Sequence, residues 1–168
     1  MASNERNTVT LENAKIFWLN FRGAEGQYNR AGDRNFHVEI PDEVAKVMEK
    51  DGWNVKWREP REEGDPQIAH IAVKVNFNSF RPPKIVLISS SGRTNIGPGE
   101  AEIVDYADIK KVDVILSPFQ YEVNGKSGIS CYLQTMFLTI NEDELELKYA
   151  QVAEAPANTQ PGFNEPTF

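Results

Sequence analysis

The chain has 168 residues, with 18 Lys and Arg against 25 Asp and Glu, a formal charge of −7, and 40% hydrophobic residues. That is the composition of one globular domain with a core of its own, and no apolar run approaches the roughly 18 residues of a membrane-spanning helix. A single Cys and two His exclude an internal disulfide and a Cys/His zinc site.

Taken in chain order, Ala14, Ile16 and Trp18 alternate with Phe17, Leu19 and Phe21. This predicts a strand apolar on both sides that ends at Arg22-Gly23. Residues 22–33 hold three Gly and no aliphatic larger than Ala, and read as a loop. Phe36, Val38 and Ile40 then oppose Asn35, His37 and Glu39, the pattern of a half-buried strand. Pro41 and Asp42 open a helix over about residues 42–51, with Val44, Val47 and Met48 on its inner face and Gly52 as its stop. Trp53, Val55 and Trp57 resume a period of two, and 58–66 is an acidic loop. Ala69, Ile71, Val73, Val75 and Phe77 alternate with Ile68, His70, Ala72, Lys74 and Asn76 in the next strand. After Pro82-Pro83, residues 85–88 form a buried strand, 89–99 a loop, and 100–108 a short helix or turn.

The strongest hairpin signal is residues 110–123, Asn124-Gly125, then 127–140. Both arms change apolar phase midway, Val112/Val114/Leu116 against Phe119/Tyr121/Val123 and Ile129/Cys131/Leu133 against Met136/Leu138/Ile140. Paired bulges that curve the hairpin are expected there, with Ser117-Pro118 in support. Asn141 is placed as the cap of a helical turn over 142–149, and 151–168 as a flexible tail. Seven or so strands and one helix make a small, strongly bent β-barrel with long loops. The start of the chain has no basic and apolar leader, and no Asn-x-Ser/Thr sequon occurs, so a cytoplasmic location is expected.

Most catalytic chemistry finds no footing. Gly125-Lys126-Ser127 is a hairpin turn, because a phosphate-binding loop needs Gly five residues earlier, where Gln120 stands. Cys131 reads as a core thiol, and His37 and His70 as surface or hydrogen-bonded structural residues. The Glu-rich runs at 59–63 and 142–146 lack the spacing of a calcium loop, and Asp105 with Asp108 makes no metal-nuclease pattern. No enzyme, cofactor or metal is expected.

The negative total suggests a poor nucleic-acid partner, but the charge is uneven: residues 66–99 contain Lys74, Arg81, Lys84 and Arg93 and no acid. Aromatic and basic residues also interleave at four places: Trp18/Phe21/Arg22/Tyr28/Arg30/Arg34, Trp53/Lys56/Trp57/Arg58, Lys74/Phe77/Phe80/Arg81/Lys84, and Phe119/Tyr121/Lys126. Single-stranded nucleic acid offers phosphates to the cations and base faces to the rings. Phe36, Phe77 and Phe137 lie in apolar stripes and are expected in the core.

The runs Gly32-Asp33-Arg34-Asn35-Phe36-His37-Val38-Glu39-Ile40 and Asp51-Gly52-Trp53-Asn54-Val55-Lys56 resemble a group of small phage- and prophage-encoded proteins. So does Phe119–Ile129 with Tyr132-Leu133, and the likeness spans about 14–150. That resemblance implies an OB-fold single-stranded-DNA-binding protein of phage replication. The terminal Phe168 is similar to the C-terminal aromatic with which such proteins recruit replication partners, although this tail has only Glu154 and Glu165 and no acid beside Phe168.

The resulting expectation is a mostly β chain. Residues 1–150 form an OB-like, five- to seven-stranded curved antiparallel barrel with one short helix, and 151–168 a flexible tail. It coats single-stranded DNA during replication or recombination, without sequence specificity and without catalysis. Arg22, Arg30, Arg34, Lys56, Arg58, Lys74, Arg81 and Lys84 are the phosphate candidates, and Trp18, Tyr28, Trp57, Phe80 and Tyr121 the stacking candidates. Phe168 is the candidate dock for replication or recombination proteins, and self-association is left open. The alternative is an acidic phage factor that binds and modulates a host enzyme, motivated by the −7 and the acidic 41–65 segment.

Overall fold

A computed structural model describes residues 8–60 and 62–142. These form β1 (Val9–Leu11), β2 (Ile16–Asn20), β3 (Arg34–Ile40), α1 (Asp42–Lys50), β4 (Lys56–Arg58), β5 (Ile68–Val75), β6 (Lys84–Ser89), β7 (Gly92–Ile96), α2 (Ile103–Tyr106), β8 (Ile109–Val123) and β9 (Lys126–Ile140). The sheet order is β1-β8-β9-β5-β3-β2, with β4 added to β5 and the β6–β7 hairpin added to β9. Pairing is antiparallel except where β5 and β6 meet β9 in parallel. The two ends of this order, β1 and β2, are consecutive in the chain, and Ala14 N–H between them donates to Val112 O at 2.8 Å. The strongly curved sheet thereby wraps around one core, as the OB-like expectation requires.

The core is the set of side chains that alternation turns inward. It takes Phe36, Val38 and Ile40 from β3, Ala69, Ile71, Val73 and Val75 from β5, and Val112, Val114 and Leu116 from β8. Phe21 and Phe36 stack at 5.2 Å, both fully buried. Each such side chain contributes about 1.5–3 kcal/mol through burial. Helix α1 begins after Pro41, with Asp42 and Glu43 at its positive end and Lys50 at its negative end, and buries Ala45 and Met48 against this layer. Val47, expected inward, is 60% exposed. A helix of nine residues turns only a narrow stripe toward the sheet, and Ala45, Met48 and the half-buried Val44 fill it.

The long hairpin turns at Asn124 and Gly125, both with positive φ, as a two-residue type I′ turn requires. The phase changes in its arms have different causes. On β9, Ile115 pairs Thr135 while Leu116 pairs Leu133, so Gln134 is the extra residue of a true bulge. On β8 the pairing from Leu116 to Val123 is unbroken. There the odd residues Phe119, Tyr121 and Val123 are exposed rings and methyls on the outer face, not a second core stripe. The bulge also sends Phe137 outward, under the Arg93 guanidinium at 5.9 Å, against its expected place in the core. Residues 89–99, read as a loop, contain β7, whose sequence Gly-Arg-Thr-Asn-Ile carries a single apolar residue and no apolar alternation. The expected 142–149 turn, the 151–168 tail and Phe168 lie outside the described residues apart from residue 142.

Candidate nucleic-acid interface

A strand with one buried face must present its other face elsewhere, and here four strands present theirs together. Cross-strand register puts Asn35 beside Lys74, Lys74 beside Tyr132, and Tyr132 beside Ser117, a row crossing β3, β5, β9 and β8. A neighbouring row runs His37–Ala72, with Phe17 opposite His37 on β2. Lys56 and Arg58 of β4 sit opposite His70 and Ile68. The outer face therefore collects Phe17, His37, His70, Lys56, Arg58, Lys74, Tyr132, Phe119 and Tyr121.

Two clefts run over this face. One, of about 450 Å³, is lined by His37, Lys56, Ala72, Lys74, Phe119, Tyr121 and Tyr132 among others. The second, of about 340 Å³, is lined by Arg30, Arg34, Asn35, Lys74, Asn78 and Tyr132 among others. Lys74 and Tyr132 belong to both, so the clefts form one track. Lys74 Nζ lies 5.8 Å above the Tyr132 ring, and Phe119 meets Tyr132 edge-on at 5.7 Å. Tyr121 lies flat across Gly128, its register partner: a Cβ there would come within 2.6 Å of the phenol oxygen. Glycine is required at 128 for that close approach.

The local charge is positive in spite of the total. Of the acids bordering the track, Glu39 pairs with Arg58 at 3.3 Å and Asp33 with Arg30 at 3.2 Å. Lys56 and Lys74 are exposed on the open face. Both histidines are shifted toward the neutral form. Burial, then the neighbouring His70, pushes His37 down to about 4. Burial, then Arg58 and Lys56, lowers His70, against an opposing pull from Glu39. His37 Nδ1 and His70 Nδ1 share a hydrogen bond of 3.1 Å. Cys131 is buried and its thiol is pushed up by that burial, which removes it as a nucleophile.

The structure thus brings Trp18, Lys56, Arg58, Lys74 and Tyr121 to one face, with Arg30 and Arg34 at its edge. Arg34 also donates to Phe21 O at 2.6 Å and lies 5.3 Å over Phe77, so part of its guanidinium serves the fold. Tyr28 and Phe80 are 93% and 97% exposed on the loops flanking the second cleft, with Arg81 beside Phe80. Arg22 turns to α2, donating to Tyr106 Oη at 2.8 Å. Trp57 shares a face with Ala69, on the core side of the sheet, and its indole N–H donates to Glu49 at 3.2 Å. Lys84 faces Thr135 on β9 and lines neither cleft. The Gly-rich loop is tied down: Asp105 accepts from the Phe21 and Arg22 amides at 2.7 and 3.0 Å, and Asn29 Nδ2 donates to Ala24 O and Asp33 O. Sequence reasoning named Phe119 beside Tyr121 and Lys126 without carrying it to the stacking candidates, and did not select Tyr132 or His37 for the site. The usable signal was a ring at an outward position of a strand whose inward positions are aliphatic, as Tyr132 is between Cys131 and Leu133.

A family model described as "Putative phage ssDNA-binding domain" matches residues 2–164. Nine chains of solved structures match this fold. One is the single-stranded DNA-binding protein of bacteriophage Enc34 in complex with ssDNA, at 10% identity and TM-score 0.54, covering 83% of this chain and 89% of that one. The same phage protein in another structure gives TM-score 0.53 at 10% identity over 83% and 84%. The single-stranded DNA binding protein gp2.5 of bacteriophage T7 gives TM-score 0.39 at 13% identity over 96% and 99%. At these identities the likeness to Enc34 is one of fold. No curated protein matches the chain.

Proposed function

The chain belongs to the phage ssDNA-binding domain family, and on that premise we propose that it binds single-stranded DNA along the outer face of its curved sheet, without catalysis. The observation that carries the assignment to this face is the track lined by Lys56, Lys74 and the rings of Phe119, Tyr121 and Tyr132, with Trp18 against His37 at its β2 end. Lysines there meet phosphates as point charges, and the rings stack on bases whatever their identity, which gives affinity without sequence readout. From β8 to β2 the track crosses four strand spacings, about 19 Å. That accommodates a few nucleotides, the short end of the range for one OB fold. Arg30, Arg34, Tyr28, Phe80 and Arg81 flank the strand where it leaves the sheet. The role that follows is coating single strands exposed during phage replication or recombination in the infected cell, with Phe168 as the candidate contact for replication partners.

The test is a fluorescence-anisotropy titration of labelled oligo-dT at several salt concentrations. Binding that weakens linearly in log–log form with salt supports the reading. No binding at low salt, or binding indifferent to salt, refutes it.

A further inference from the structure

Phe17 and Trp18 are consecutive in β2, yet both rings lie on the outer face. Strand alternation forbids this unless the backbone is interrupted, and it is: the register of β2 on β3 shifts between Phe17 and Asn20, and Trp18 has φ +52°. A bulky L residue disfavours that left-handed region, and such a conformation persists only where its surroundings over-determine it. The indole is 63% exposed, so burial alone does not hold it. Its ring contacts are Phe17 at 4.9 Å, His37 at 4.8 Å and His70 at 5.9 Å, all near-perpendicular. His37 and His70 come from different strands and are joined Nδ1 to Nδ1 at 3.1 Å. Two like ring nitrogens can share a bond only if one donates and the other accepts, which locks complementary tautomers and fixes both ring planes. Around the pair stand Glu39 of β3, Lys56 and Arg58 of β4 and Lys74 of β5, with Arg58 also lying 4.9 Å over the Phe17 ring.

We propose that the His37–His70 hydrogen bond is a positioning device for nucleobase stacking: it makes a rigid two-ring seat that holds the indole of Trp18 with one face open to a base. The inference rests on the single-stranded-DNA reading and adds to it two residues that need not touch DNA. It also accounts for a histidine that is 6% exposed on a face otherwise open to solvent: His70 is roofed by the rings it supports.

The experiment compares His70→Leu, which fills the space without a hydrogen bond, with His70→Asn, which returns an amide group to the Nδ1 position. Oligo-dT affinity is read beside acrylamide quenching of tryptophan fluorescence without DNA. Trp53 is buried and Trp57 half-buried, so quenching reports chiefly on Trp18, with Trp18→Phe as the blank. His70→Leu should weaken oligo-dT binding at least about fivefold, the low end of what one base stack is worth, and alter Trp18 quenching. His70→Asn should stay within about twofold of the wild type, with circular dichroism unchanged for both. A folded His70→Leu that matches the wild type in affinity and quenching overturns the proposal. Should that variant not fold, the wild type decides: Trp18 quenching should show an acid step near pH 4, lost in His37→Asn, and its absence overturns the proposal equally. A wild type that quenches as expected but ignores oligo-dT would defeat the DNA reading and leave the seat intact.

Discussion

Trp18 offers the sharpest test, because the same residue carries strain, partial burial and the candidate stacking surface. A little over a third of the indole is covered, since it is 63% exposed. For a side chain of roughly 250 Å² that is some 90 Å², or about 2 kcal/mol of transfer free energy. Removing the ring forfeits this in Trp18→Ala and Trp18→Gly alike. The φ of +52° adds a second term with opposite consequences. Ala keeps the left-handed strain of about 1–2 kcal/mol, while Gly does not feel it. Trp18→Gly should therefore be more stable than Trp18→Ala by about 1 kcal/mol, the reverse of the usual order in a strand, and close to wild type overall. Both variants should lose oligo-dT affinity about 5- to 150-fold, the range of one stack. Urea melts rank the stabilities and anisotropy titrations the affinities. An Ala variant at least as stable as the Gly variant refutes the strain, and wild-type affinity in either refutes the stacking role.

Three further outcomes follow from the same geometry. Lys74→Ala should weaken oligo-dT binding and reduce the slope of log affinity against log salt by about 0.7, one phosphate contact on a single strand; an unchanged slope in a salt series places Lys74 off the track. Gly128→Ala puts a methyl within 2.6 Å of the Tyr121 oxygen and must lift that ring from its bed. Its oligo-dT affinity should fall toward that of Tyr121→Ala, and a Gly128→Ala protein that binds as the wild type would show that Tyr121 does not stack. The lowered histidines make stability pH-dependent. Below pH 6.5 the unfolded chain takes up a proton at His37 that the folded chain refuses until about pH 4. The stability contributed by His37 is thus present above 6.5 and is lost as pH falls through about 4. Urea midpoints across that window should flatten in His37→Asn, and an identical slope in both proteins contradicts the assignment.

Much of this was legible in the chain itself, and the reason is periodicity. Period-two alternation at 35–40 and 68–77 named the inward residues of β3 and β5 correctly, and Asn124-Gly125 located the long hairpin to within a residue. The acid-free stretch 66–99 includes Lys74, which lies at the centre of the track. Local pattern failed where a backbone irregularity changes which face a side chain takes. The bulge at Gln134 turned Phe137 outward, and Phe119 stayed off the stacking candidates beside Tyr121 because exposed rings and buried rings read alike in sequence. Strand β7 was missed because an edge strand with one buried residue has no apolar alternation to detect.

The sequence alone determined the β-rich class, the hairpin and the helix expected over about 42–51 and found at Asp42–Lys50, because each depends on residue type and near-neighbour spacing. Only the tertiary structure decided which basic and aromatic residues share a surface. It gathered Lys56, Lys74, Phe119, Tyr121 and Tyr132 from four strands by register, left Trp57 on the core side of the same sheet, and joined His37 to His70 across 33 residues of chain. A site of that kind is a property of strand order, and strand order is set by which long-range pairings bury the most apolar surface together, which no local window contains.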